Sequence, residues 1–298
     1  MTGALLERLK EYGIEYKEQY SLKESCTFRV GGCCSLAVFP KSEDEIALAV
    51  DISDRAGVDF CVVGKGSNTL FSDGKIDKIL IFTGGCDDVR FDGNTVLAFA
   101  GAGLIALSSA VAEKGLSGLE FASGIPGSVG GAVFMNAGAY GSCMADVTAK
   151  SRAFDRRIGT VVTLEQHGFG YRDSIYKRER SLICLSVALS LIDGDTTEIR
   201  QRMRELSAER RKKQPLEYPS AGSYFKRPQG DFAGRLIEEC GLKGMRIGGA
   251  EVSVKHAGFI VNRGNATFSD ILALEERVKE TVYRQCGVEL EREVEIID

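Results

Sequence analysis

Histidine and proline are scarce in this 298-residue chain, which holds two histidines, His167 and His256, and five prolines. Two histidines far apart, and nine cysteines without a single Cys-x-x-Cys pair, argue against a structural metal site. An odd cysteine count likewise does not suit a disulfide framework, so the thiols are expected to be reduced, with adjacent Cys33 and Cys34 as core or loop residues or as a reactive pair. Basic charge is not in excess: 38 Lys and Arg stand against 42 Asp and Glu, a net charge of −4. The basic run at 200–213 is interleaved with Glu205 and Glu209, so nucleic acid is not an expected partner. Long apolar runs are missing too. The best, Leu182 to Ile192, is interrupted by Ser186 and Ser190 and falls short of the roughly 20 residues of a spanning helix. Charges break up the first ten residues before an export signal could form, so a cytoplasmic protein without a membrane segment is expected.

What is present is an ordinary globular composition, 44% apolar and 27% charged, with 35 glycines. At about 150 residues per domain the length suggests two domains. Leu5, Leu6, Leu9 and Tyr12 recur at helical spacing up to Gly13 and predict an opening amphipathic helix. A strand at 36–39, a helix over 42–56 with a Ser42/Glu45 capping box, and a strand at 60–63 predict a βαβ unit. That unit delivers the chain into Gly64-Lys-Gly-Ser-Asn68. A similar passage leads from a strand at 96–100 through Gly101-Ala-Gly103 into a helix over 104–114. Residues 118–141 are too apolar for a linker and too rich in glycine for a regular helix or strand, and predict a buried wall for a flat ligand. Strands at 151–155, 161–164 and 182–191 precede a helix over 196–213. The remainder predicts a loop at 214–228, helices at 233–240 and 269–286, and strands at 258–261 and 294–297. The domain boundary is placed near Gly194, giving units of 1–194 and 195–298.

Several chemistries lack their motif. Gly64-Lys-Gly-Ser-Asn-Thr69 has no third glycine of a Rossmann turn, no P-loop surrounds it, and no G-x-S-x-G elbow exists for a serine hydrolase. Alone, the Gly64 loop reads as a tight turn or as a phosphate cradle. Together with the wall at 118–141, it would supply backbone donors to a pyrophosphate without a cationic patch. Arg172, in Phe169-Gly-Tyr-Arg-Asp-Ser174, either anchors an acidic substrate through its guanidinium or pairs with Asp173 at the surface. Ser223, in a loop of small residues, either shapes a turn or presents a hydroxyl. The glutamates of Glu289-Leu-Glu-Arg-Glu-Val-Glu295 line a final strand, either solvated or functional.

Six motifs taken in order are specific: Thr27-Phe-Arg-Val-Gly-Gly32, Gly64-Lys-Gly-Ser-Asn68, Ser123-Gly-Ile-Pro-Gly-Ser-Val-Gly-Gly131 with Asn136-Ala-Gly-Ala-Tyr-Gly141, Gly170-Tyr-Arg-Asp-Ser174, Gly222-Ser-Tyr-Phe-Lys226, and Leu290-Glu-Arg-Glu-Val294. They resemble the UDP-N-acetylenolpyruvoylglucosamine reductases of bacterial peptidoglycan synthesis over nearly the whole chain. The resemblance implies an α+β protein, with an FAD-binding domain of the vanillyl-alcohol oxidase (PCMH) type from about residue 27 and a smaller C-terminal substrate-binding domain. It implies non-covalent FAD, NADPH as co-substrate, a UDP-sugar enolpyruvyl ether as substrate, and a monomer. By the same resemblance, Gly64, Lys65, Gly66, Ser67, Asn68, Ser123, Gly124, Ile125, Pro126, Gly127, Gly130, Gly131, Asn136 and Gly138 hold the cofactor, and no metal is involved. Arg172 polarises the substrate carboxylate, Ser223 donates the proton, and Glu293 is the nearby carboxylate, with Glu291 as its neighbouring alternative. Lys213, Lys226 and Arg227 are implied substrate contacts. Arg227 stands where the family usually has asparagine, and Lys65 where it often has glycine or asparagine. The short stretch between Ser174 and Leu182 lacks an insertion that carries a substrate-clamping tyrosine, so the chain resembles the shorter branch.

Overall fold

The structure is a computed structural model and describes residues 2–298. The chain divides into two compact units, neither of them continuous. The first comprises the residues up to Glu18, Leu36–Lys65 and Asp77–Glu209; the second comprises Gln19–Ser35, Gly66–Ile76 and Arg210–Asp298. A single cut at residue 194 therefore does not describe the fold. Most of the helix Thr196–Lys213 belongs to the first unit, where Ile199 and Leu206 are buried and the Tyr140 hydroxyl donates to the Leu206 carbonyl at 3.1 Å. Chain order cannot reveal this, because burial rather than sequence proximity decides which body a segment joins.

In the first unit the helix Glu43–Arg55 presents Ile46, Ala49, Val50 and Ile52 to Leu36, Val38, Ile79 and Ile81 of a sheet, with Leu5 and Leu9 of the opening helix Thr2–Glu11 in the same cluster. Each of the Ile, Val and Leu side chains contributes about 1.5–3 kcal/mol by leaving water. The helix starts where expected, since the Glu45 N–H donates to Ser42 Oγ at 3.1 Å. The reciprocal bond is displaced by one residue: Glu45 Oε2 accepts from the Lys41 N–H at 2.8 Å.

The expected βαβ unit is open. The strand Lys75–Phe82 lies between Cys33–Phe39 and Phe60–Val63, parallel to the latter. The second passage is not βαβ at all, because Thr95–Phe99 belongs to an antiparallel sheet ordered Thr160–Leu164, Thr148–Asp155, Leu182–Ser190, Thr95–Phe99, Val89–Asp92. On this sheet lies a helix that the glycine content hid, Val129–Phe134. Its N-cap Ser128 accepts from the Gly131 N–H at 3.3 Å, and Val129, Ala132 and Val133 are buried with Val187 and Leu189. Capping and core burial outweigh a weak propensity of about 1 kcal/mol per glycine.

The second unit is organised by the helix Phe268–Cys286, whose Thr267–Asp270 capping box is complete. Ile271, Leu274, Val278 and Val282 form its buried stripe. A three-stranded antiparallel sheet, Arg246–Ile247, Ala250–Val252 and Ile260–Asn262, belongs to the same unit. The final strand, Glu295–Ile297, pairs in parallel with Thr69–Phe71, the residues directly after the first glycine loop. The strand Glu15–Ser21 was not legible, because its sequence is almost wholly polar.

Candidate active site

The glycine loops meet inside the first unit. A Cβ placed on Gly64 would lie 2.2 Å from Ser128 Oγ, and one placed on Gly103 would lie 2.5 Å from Lys65 Nζ, so the first loop rests directly on the second wall. An isolated antiparallel bridge joins Gly103 to Ser128, flanked by Leu104 N–H to Gly127 carbonyl at 2.9 Å and Val129 N–H to Ala102 carbonyl at 2.8 Å.

Part of the expected donor set is spent internally. The N–H groups of Ser123, Ile125 and Gly127 donate to Glu120, Ala122 and Ile125, and that of Gly130 donates to Ala100. Gly130 is buried, and a Cβ there would meet that of Ala100 at 2.9 Å, so its glycine serves helix packing. Among the described residues, the N–H groups of Gly64, Lys65, Gly124 and Ser128 donate to no protein acceptor. Backbone donors beside one ammonium, with no carboxylate among them, suit the pyrophosphate of a dinucleotide. Pro126 is exposed and half-buried Ile125 packs against the core.

Gly66, Ser67 and Asn68 continue in the second unit. Gly66 takes φ 59° and a Cβ would lie 2.2 Å from the Ser25 carbonyl, so a side chain is excluded twice over. The Thr27 N–H donates to the Gly66 carbonyl at 3.1 Å and the Thr27 hydroxyl to that of Ser220 at 2.6 Å. Asn68 Nδ2 donates to the Glu293 carbonyl at 3.1 Å, and the Glu295 N–H donates to the Asn68 carbonyl at 3.0 Å. Asn68 thus fixes the backbone that carries Glu293.

Arg172 sits in a two-residue turn closed by Gly170 N–H to Asp173 carbonyl at 3.0 Å and Asp173 N–H to Gly170 carbonyl at 3.3 Å. Its φ of 53° is left-handed, a conformation that costs a non-glycine residue roughly 1–2 kcal/mol. The surface pair with Asp173 is not formed; that carboxylate pairs with Arg178. The Arg172 guanidinium instead donates to the Gly138 carbonyl at 3.4 Å and lies over the Tyr171 ring. Asn136, 7% exposed, pins this turn: its Nδ2 donates to the Gly170 carbonyl at 2.9 Å while its Oδ1 accepts from the Ala145 N–H at 2.9 Å. The Asn136 side chain is thereby committed to positioning the arginine turn. Neither histidine joins this arrangement: His167 is buried against Ser151, and burial holds its pKa below the ordinary value.

In the second unit the segment Ser223–Lys226 runs antiparallel to Glu291–Glu293, bridged at Phe225 and Arg292. The Glu293 N–H donates to the Tyr224 carbonyl at 2.9 Å and the Lys226 N–H to the Glu291 carbonyl at 2.8 Å. Ser223 is exposed, whereas Tyr224 is buried. Glu293 is 9% exposed, while Glu291 is exposed and pairs with Lys226 Nζ at 2.9 Å. That bond lowers the pKa of Glu291 and raises that of Lys226. Arg227 stacks on Phe232 at 4.5 Å, and Lys213 is exposed at the end of its helix.

Sequence reasoning missed Glu275. This buried carboxylate accepts from the Tyr224 hydroxyl and from Arg292 Nε, each at 2.8 Å, and forms an ion pair with Lys279 Nζ at 2.9 Å. Burial alone would raise its pKa, but the bonds from Arg292, Lys279 and Tyr224 outweigh burial and hold it low. The only sequence signal was a glutamate on the apolar stripe of the helix, between Leu274 and Val278.

Residues 34–165 match the family model described as FAD binding domain. The architecture is that of a flavoprotein: an α+β chain with an FAD-binding domain of the PCMH type and a smaller C-terminal domain. A berberine bridge enzyme variant shares the fold alone, with a TM-score of 0.51 at 16% identity over 66% of this chain and 44% of its own. Residues 214–297 match the model described as UDP-N-acetylenolpyruvoylglucosamine reductase, C-terminal domain. The enzyme of that name from Caldicellulosiruptor bescii is 43% identical over 97% of this chain and 93% of its own length. The crystal structure of its Thermus caldophilus counterpart superimposes with a TM-score of 0.80 at 35% identity, covering 96% of this chain and 99% of that one. The chain belongs to the UDP-N-acetylenolpyruvoylglucosamine reductase family.

Proposed function

We propose that this protein reduces the enolpyruvyl ether of UDP-N-acetylglucosamine to UDP-N-acetylmuramate, with NADPH as reductant, in peptidoglycan precursor synthesis. The observation that carries the reading is the family match along nearly the whole chain. When bound, FAD supplies a hydride to the methylene carbon of the enol ether, having received it from NADPH. The free N–H groups of Gly64, Lys65, Gly124 and Ser128, with the Lys65 ammonium, would hold its pyrophosphate; Gly138 and Gly131 pack against the protein, where a Cβ would lie 2.6 Å from that of Cys143 and 3.3 Å from Ser128 Oγ, respectively.

Hydride addition turns the methylene into a methyl group and drives negative charge onto the substrate carboxylate. A fixed cation there stabilises the transition state more than the ground state. Arg172 fills that role. Its turn is pinned by Asn136, so little reorganisation is needed when the charge develops. Ser223 donates its hydroxyl proton to the carbon bearing the carboxylate, and Glu293 is the acid or electrostatic partner beside that step. Lys226 and Lys213 contact the substrate diphosphate or carboxylate, and Arg227 is the least specified contact. Most of the cofactor residues belong to the first unit, with Gly66, Ser67 and Asn68 in the second, and most of the substrate contacts belong to the second. We take the working protein to be a cytoplasmic monomer with neither nucleic acid nor membrane as a partner; among the described residues no helix is long and apolar enough to cross a membrane.

The test is turnover. NADPH oxidation must depend on the enolpyruvyl sugar, and the product must gain two hydrogens at the former double bond. Oxidation of NADPH at an equal rate without the sugar would discard the substrate.

A further inference from the structure

The helix Ala233–Glu239 ends on Cys240 as its C-cap, and the helix Phe268–Cys286 ends on Cys286, followed by left-handed Gly287. Both residues belong to the second unit, and their sulfurs stand 3.6 Å apart. Cys286 is exposed and Cys240 half-buried. They are 46 residues apart in sequence, in no Cys-x-x-Cys spacing, so the pair is invisible without the fold.

We propose that Cys240 and Cys286 form an oxidisable dithiol, a modification site at which a peroxide closes an intrachain disulfide. A disulfide holds its sulfurs at about 2.05 Å, so closure needs a movement of about 1.5 Å, within reach of side-chain rotation at two helix ends. The exposed Cys286 sulfur attacks peroxide; the O–O bond breaks, one oxygen leaves as water, and the sulfur becomes a sulfenic acid. The Cys240 sulfur then attacks that sulfur. The S–S bond forms, and hydroxide departs with the Cys240 proton as a second water. Two thiols thus lose two electrons and the peroxide gains them. Cys240 is suited to the second step by its position, 3.6 Å from the Cys286 sulfur; burial, aided by the hydrogen bond to Cys286, pushes its thiol up to about 11, so the exposed Cys286 is the one that meets peroxide first.

The experiment treats the FAD-loaded protein with hydrogen peroxide, alkylates the remaining thiols and maps the peptides without reduction. The expected result is a peptide cross-linked between Cys240 and Cys286, two fewer alkylatable thiols, reversal by dithiothreitol, and a higher thermal midpoint for the oxidised form. C240S and C286S should each abolish the cross-link and the shift while FAD stays bound; C240A and C286A replace either variant that loses FAD. Over-oxidation of Cys286 beside a still alkylatable Cys240, or a disulfide only between two chains, would overturn the proposal.

Discussion

The Tyr224 hydroxyl and the Arg292 guanidinium donate to the same carboxylate oxygen, Oε2 of Glu275, each at 2.8 Å. Tyr224 follows Ser223 in the chain and Arg292 precedes Glu293. One oxygen therefore sets the register of the two segments that carry the proposed proton donor and its carboxylate partner. Removing a single member of a buried ionic cluster leaves the others unpaired and costs about 3–5 kcal/mol. Glu275→Ala should destabilise the protein by that order in urea unfolding, whereas Glu275→Gln keeps the volume and an acceptor for Tyr224 and should cost less.

The same carboxylate sets an acid dependence. Its folded pKa is depressed, so its stabilisation is present above the ordinary glutamate value, near 4.3, and is lost as pH falls through the depressed folded value. Unfolding free energy measured from pH 7 downward should fall more steeply in the parent protein than in Glu275→Gln. Equal slopes would assign the acid sensitivity elsewhere.

Asn136→Ala should leave the Ala145 N–H without its acceptor, at about 1–3 kcal/mol, and leave the Gly170 carbonyl with only the 3.3 Å bond from the Asp173 N–H. The arginine turn would then lose its anchor. Thermal unfolding reports the first effect, and a fall in turnover with NADPH-dependent FAD reduction unchanged reports the second.

Arg172→Lys keeps a charge but not the planar fork, and should lower the rate of the step that consumes the enolpyruvyl sugar by about 10²–10³-fold. Ser223→Ala should lower the same step by about 10²–10⁴-fold. Both variants should accept hydride from NADPH at the parent rate in a single-turnover experiment. If Ser223→Ala turned over normally, the proton would come from another donor.

Gly64→Ala forces Ser128 Oγ aside and with it the cap on the helix Val129–Phe134, worth about 1 kcal/mol. Weaker FAD retention is expected, read by fluorescence of released flavin. Gly74→Ala is the comparison, since a Cβ there meets nothing within 4 Å.

How far the sequence carried the account can be judged from individual residues. Ser42 and Gly103 mark helix ends through local chemistry, and amphipathic spacing places the helices they bound. The helix Val129–Phe134 was lost because its stability comes from Val187 and Leu189, remote in sequence. The insertion of Lys75–Phe82 between two other strands is likewise a tertiary fact. Of the site, the glycine loops, Arg172 and Ser223 stand out by motif. Glu275 does not, since its meaning arises only when Tyr224 and Arg292 reach it from distant segments.

The central claim is tested most directly by the visible spectrum of the anaerobic, FAD-loaded protein during two additions. NADPH should bleach the flavin absorbance, and UDP-N-acetylglucosamine enolpyruvate should then restore it, with UDP-N-acetylmuramate recovered. A flavin that bleaches and stays bleached after the sugar is added would contradict the assigned substrate, and a protein that binds no FAD on reconstitution would contradict the account at its base.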